Sequence, residues 1–105
     1  PSLLRGNIPI FDELGDAYYI AENLSRVACA LAPLGHPEEA TRLIGYAESL
    51  MEELGTRHQW ANHMNAETLV QIRSQAAPDD VESWLRSGAA LKQEAAVALA
   101  VRALG

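Results

Sequence analysis

The sequence predicts an all-α fold, an antiparallel helical hairpin extended by about three further helices. Three observations predict it. Apolar residues recur at spacings of three and four, no segment alternates between apolar and polar residues as a half-buried strand does, and Gly and Pro divide the chain into helix-length segments. Ala and Leu supply much of the 49% apolar content, which is typical of packed helices.

The clearest helix is predicted for residues 37–54. Pro37 suits the first helical turn, and Glu38 and Glu39 follow at the positive end of the helix dipole. Gly55 is the expected end, because Gly readily adopts the left-handed conformation that follows a helix. The apolar face comprises Ala40, Leu43, Ile44, Ala47, Leu50 and Met51.

A helix over residues 17–34 is predicted before it. Asp16 is the expected N-cap, and Gly15 is expected to end a short preceding helix that carries Ile10, Phe11 and Leu14. The turn at Gly35 is so short that the two long helices must form an antiparallel hairpin, residues 16–55. The inward face of this helix is expected to comprise Ile20, Leu24, Val27, Ala28 and Leu31.

Residues 56–105 are predicted to form C-terminal helices of the same single domain. One covers residues 59–76, with polar Asn62, Asn65 and Gln71 interrupting its pattern, and a second runs from Pro78 to Gly88. The last, residues 92–104, is apolar almost all round, which predicts a central position or a covering partner. The inward positions of the third helix are expected to be Ala61, Met64, Thr68, Leu69, Ile72 and Ala76.

Composition restricts the function. A net charge of −6, with eight basic residues spread singly, argues against direct nucleic-acid binding. The longest apolar run is too short to cross a bilayer, and a single cysteine fits a reducing cytoplasm. The 105 residues make one domain, and a first residue of Pro instead of Met indicates a fragment of a larger protein.

No residue pattern indicates an enzyme, a cofactor or a metal site. His63 and Glu67 lie one helical turn apart, but His58 is poorly placed to join them, so surface polar residues are the preferred interpretation. Asp79 and Asp80 suit a helix start better than acid–base chemistry. Cys29 lies between two alanines and is expected to pack as a small apolar residue.

Two resemblances follow from these residues. The hairpin resembles a tetratricopeptide repeat, with Leu24, Ala28 and Gly35 followed by Ala40 and Ile44 at matching positions. ELGD at residues 13–16, PEEATRLIGYAESL at residues 37–50, and the segment from Trp84 to Ala98 together resemble the C-terminal region of bacterial LuxR-type and NB-ARC ATPase transcriptional regulators. The resemblance implies a non-catalytic, tetratricopeptide-like region for protein interaction and regulation, without the phosphate-binding loop or the DNA reader.

Three hypotheses remain open at this point. The first is a protein-interaction domain whose groove includes Tyr19, Asn23 and Arg26, with a protein partner or adjoining domains of the same regulator as the occupant. The alternative for these three residues is a solvated helix face, with one aromatic side chain covering the edge of the core. The second is a homo-oligomerisation module that pairs through the last helix, and the third is a small-molecule sensor with a pocket near Trp60 or Trp84. The residues expected to self-associate are Val97, Val101 and Leu104.

Overall fold

A computed structural model describes the backbone of residues 13–55 and 59–104, and the side chains of residues 19–55 and 61–104. The described chain is all-α, as predicted, and contains no strand. None of its helices is long and apolar enough to cross a membrane. The helices are α1 (Glu13–Leu31), α2 (Pro37–Glu53), α3 (Gln59–Arg73), α4 (Pro78–Ala89) and α5 (Gln93–Leu104).

Helices α1 and α2 form the predicted hairpin. A single 3₁₀ turn, Ala32–Leu34, follows α1, and Gly35 then adopts the left-handed conformation with φ of 86°. The His36 amide donates to the Leu31 carbonyl, which closes the turn before Pro37 begins α2. Because only three residues of 3₁₀ helix and two of turn separate the helices, α2 returns along α1.

The start of α1 differs from the prediction. Gly15 and Asp16 lie inside the helix, which already begins at Glu13, so Gly15 ends no helix and Asp16 is not an N-cap. Gly inside a helix costs only about 1 kcal/mol, and continuing helical hydrogen bonds can outweigh that cost. The predicted contributions of Ile10, Phe11 and Leu14 lie outside the residues whose side chains the structure describes.

Helix α2 is the centre of the fold. Residues 43–47 are all buried, and five successive helical residues cover more than a full turn, so α2 is covered on every side. Its main contacts are with α1 and α4, and it also touches α3 and α5. The main core combines α1 residues Leu24, Ala28 and Leu31, α2 residues Ala40, Leu43, Ile44 and Tyr46, and Leu69, Ile72, Val81, Ala96 and Ala100 of the later helices.

Two glycines bring α2 and α4 into backbone contact. A Cβ atom built on Gly45 would strike the Leu85 carbonyl, and one built on Gly88 would lie 2.8 Å from the Arg42 Cα atom. Since Gly45 faces Leu85 while Gly88 faces Arg42, the two helices cross in antiparallel directions. Gly88 therefore does not end α4, which runs one residue further to Ala89; it is buried and serves the crossing.

The predicted end of the third helix needs correction. Helix α3 ends at Arg73 instead of residue 76, and the Ser74 hydroxyl donates to the Gln71 carbonyl where the helix stops.

Of the two positions predicted for the last helix, α5 does not take the central one, and a covering partner stays a prediction. Its buried residues are Ala96 and Ala100, Leu99 is partly buried against the core, and the valines face outward.

We expect Gly88→Ala to destabilise the protein by about 1–3 kcal/mol, because the added methyl group overpacks the crossing. At an exposed helical position the same change would stabilise the protein by up to about 1 kcal/mol, so a loss of stability would distinguish a close helix crossing from an exposed position. Urea unfolding measures the difference, with Ser87→Ala at the exposed neighbouring position as the control. A Gly88→Ala protein as stable as the parent would contradict the proposed contact.

Candidate interaction surfaces

The three residues predicted to bind a partner lie on one side of α1. Tyr19, Asn23 and Arg26 follow at spacings of four and three, all three are exposed, and 52% of Tyr19 is accessible. Arg26 Nη2 contacts Glu22 Oε2 at 3.2 Å, which orients the guanidinium along the helix. We call Tyr19, Asn23 and Arg26 the α1 surface.

The opposite face of α1 is held in place by the fold. Ala21, Leu24 and Ala28 are buried there against neighbouring helices. Helices α2, α3 and α5 all contact α1. The α1 surface is therefore presented by a helix that is packed against its neighbours from Ala21 to Leu31, as a recognition surface requires.

The three residues predicted to self-associate form a second exposed row, on α5. Val97 is 40% accessible, Val101 65% and Leu104 58%, and their spacings of four and three place them on one side. Ala96 and Ala100, on the adjoining face of the helix, are buried in the main core. We call Val97, Val101 and Leu104 the α5 surface.

A groove of about 390 Å³ lies between the start of α2 and the end of α5. Both of its glutamates have a basic neighbour: Arg42 Nη2 lies 2.7 Å from Glu38 Oε2, and His36 Nδ1 lies 3.8 Å from Glu39 Oε2. Among the described residues that line it there is no tryptophan. Trp84 is half-buried on α4, and the side chain of Trp60 is outside the described residues, so the pocket predicted near them stays a prediction. The groove is lined by His36, Glu38, Glu39, Arg42, Leu99, Arg102 and Ala103.

Cys29 does not pack as predicted. It is exposed, whereas its neighbour Ala28 is fully buried. Successive residues of a helix point about 100° apart, so two adjacent small residues can differ completely in environment. The apolar composition around Cys29 in the sequence therefore did not determine its burial.

His63 and Glu67 form an exposed i, i+4 pair on α3, with His63 Nε2 3.2 Å from Glu67 Oε1. His58, the third residue of the metal hypothesis, lies outside the described residues. Within the part of the chain that the structure describes, no group of three His, Cys, Asp or Glu side chains could hold a metal ion.

The burial of two polar residues, Ser25 and Asn65, was not predicted. Ser25 of α1 and Asn65 of α3 are fully buried, and neither side chain has a hydrogen-bond partner. By contrast, the Thr41 and Thr68 hydroxyls donate to carbonyls one turn earlier in their own helices. The sequence contained a signal for the burial of Asn65, because this residue lies four positions from both Ala61 and Leu69, on the predicted inward face of the third helix.

Glu48 of α2 lies beside Asn65. Burial raises the pKa of the Glu48 carboxyl above its ordinary value of 4.5, and the approach of the Asn65 amide offsets part of that rise. The two groups nevertheless do not reach standard hydrogen-bond geometry, because both polar atoms of the Asn65 side chain lack a partner. Elsewhere on α2, burial first and Glu53 second raise the pKa of Tyr46.

No family model, no curated protein and no solved structure matches this chain.

We expect Glu48→Gln to stabilise the protein at pH 7. Since folding raises the pKa of Glu48, its ionised form opposes folding, and this cost sets in as the pH rises through the folded-state pKa, above 4.5. Below pH 4.5 the carboxyl group becomes protonated in both states, and the difference between parent and variant should shrink there. Chemical unfolding at several pH values measures the difference in unfolding free energy between the parent and the variant. Glu52→Gln, at an exposed position of the same helix, controls for the loss of one negative charge; a pH-independent effect of Glu48→Gln would contradict the expectation.

Proposed function

We propose that the chain is a non-catalytic protein-interaction and regulatory domain of a bacterial transcriptional regulator, acting in the cytoplasm. The observation that supports an interaction function is the α1 surface, where a tyrosine, an amide and an arginine lie side by side on a fixed helix. The role in transcription is supported by the resemblance of residues 13–16 and 37–50 to regulators of the LuxR and NB-ARC types.

The chemistry of the α1 surface suits a protein partner. Tyrosine and arginine are enriched among residues that dominate binding energy, because each combines a large contact area with directional hydrogen bonding. Asn23, between them, can donate and accept. The occupant is then another protein or an adjoining domain of the same regulator, with nucleic acid disfavoured by the net charge of −6.

A photo-crosslinking amino acid placed at position 23 tests this in cells of the source bacterium. We expect one predominant crosslinked protein, or one segment of the same regulator, because a specific surface selects its contacts. A crosslinker at position 62 is the matched control, since Asn62 is also an exposed asparagine but lies on α3.

Arg26→Ala should then reduce the yield of the position-23 crosslink several-fold, while Arg86→Ala, at an exposed position of α4, should leave it unchanged. Identical products at positions 23 and 62 would contradict the interaction surface. A single product unrelated to transcription would contradict only the regulatory assignment.

A second candidate function, homo-oligomerisation, is supported by the α5 surface. Apolar side chains clustered on one exposed helix face are typical of surfaces that a protein covers. Two copies related by a twofold axis would each supply Val97, Val101 and Leu104 to the same contact. This candidate does not involve the α1 surface, so both functions are compatible.

Light scattering over a concentration series tests the second candidate. We expect a dimer at high concentration, which Val101→Glu converts to a monomer because a buried carboxylate without a partner is costly. Val70→Glu is the matched control, since Val70 is also exposed, at 70%, but lies on α3. A monomer at every concentration, or equal effects of the two variants, would exclude self-association through α5.

A further inference from the structure

The groove between the start of α2 and the end of α5 has walls from two different helices. One wall comes from α2 and the residue that precedes it, and the other comes from the last turns of α5. A volume of about 390 Å³ is within the size range of small-molecule sites. A small molecule seated in this groove would therefore contact both helices at once.

The groove contains one close ion pair and two further charges. Arg42 Nη2 lies 2.7 Å from Glu38 Oε2, so these two side chains largely satisfy each other. Glu39 has His36 beside it at 3.8 Å, and a histidine balances a carboxylate only when it is protonated. Arg102 of α5 forms no ion pair with any residue that the structure describes. The groove thus has a carboxylate on its α2 wall and a guanidinium on its α5 wall, and neither is in a close ion pair.

Apolar side chains line the groove next to these two charges. Leu99 and Ala103, on the same helix as Arg102, line the groove and are partly buried against the main core. The charged groups themselves are accessible, since Arg102 is exposed and 36% of the Glu39 side chain is exposed. A ligand can therefore reach both charges and cover apolar surface from a single position.

We propose that this groove binds a small zwitterion with an apolar body, such as a free amino acid with an aliphatic side chain. The carboxylate of the ligand pairs with Arg102, because a guanidinium presents a fork of donors that matches carboxylate geometry. The ammonium group pairs with Glu39, and the aliphatic side chain covers Leu99 and Ala103. A simple acid or a simple amine would leave one of the two charges without a partner, which favours the zwitterion.

The zwitterion site depends on neither of the two proposed functions. The α1 surface belongs to another helix, and none of the described residues that line the groove belongs to the α5 surface. A ligand that bridges α2 and α5 binds the folded state, so it also stabilises the seating of α5.

Titration of the whole isotope-labelled chain with free leucine, followed by NMR, tests the site. We expect saturable shifts at amides 38–42 and 99–103, the two walls of the groove. N-acetylleucine keeps only the carboxylate, and leucinamide keeps only the ammonium group. Each should bind at least about tenfold more weakly than leucine, because each loses one charge-assisted interaction. Glycine, which keeps both charges without a side chain, should also bind more weakly than leucine.

Two variants assign the two charges of the ligand. Arg102→Gln should weaken leucine binding at least about fivefold and leave the affinity for leucinamide unchanged. Glu39→Gln should weaken leucine binding to a similar extent and should not weaken binding of N-acetylleucine. Arg86→Gln and Glu52→Gln remove the same charges at exposed positions outside the groove, and as matched controls they should leave leucine binding unchanged.

Circular dichroism checks that each variant keeps the helical content of the parent. The zwitterion site is overturned if leucine causes no saturable shift along the groove. It is also overturned if either single-charge analogue binds as tightly as leucine, or if Arg102→Gln has no larger effect than Arg86→Gln.

Discussion

The burial of α2 on every side is the constraint on which the other elements depend. A helix can be enclosed only if its neighbours approach from several directions, and α1 and α4 do so on two of them. The approach of α4 is possible because Gly45 and Gly88 remove side chains from the crossing, which lets the two backbones touch. With α4 seated there, α5 is left with a shallow position that accepts Ala96 and Ala100.

The same arrangement explains where the exposed surfaces lie. Because α2 takes the centre, the strongly apolar α5 is placed at the edge, and its valines face outward instead of filling the core. Helix α1 packs with one face on α2, and Tyr19 and Asn23 lie exposed on the opposite face, which none of the described helices covers. The candidate surfaces are therefore consequences of which helix occupies the centre.

The main core contains larger side chains than the second, smaller cluster of buried apolar residues. Main-core residues such as Leu43, Ile44 and Ile72 are fully buried. The smaller cluster consists of three alanines and one large side chain, Met51. Because an alanine buries less apolar surface than a leucine or an isoleucine, the main core supplies more of the burial free energy.

The sequence by itself determined the helices and their connections. Apolar spacing predicted α2 to within one residue, and Gly35 and Pro37 predicted the hairpin turn, because these signals act through the local backbone and the residues next to it. It also placed the residues of both candidate surfaces on common helix faces. The third helix was predicted to start at the correct residue, and its inward face was largely identified.

Only the tertiary structure decided which helix is central, where glycine serves a crossing, and which polar residues are buried. In the sequence, Gly88 is typical of a glycine that ends a helix. Its role in the helix crossing depends on contact with Arg42, which lies 46 positions away in the sequence. Ser25 and Asn65 are buried because neighbouring helices meet there, and Cys29 is exposed because none of the described helices covers its side of α1. Helical periodicity defines the faces of one helix, whereas which faces meet depends on how the helices fit together.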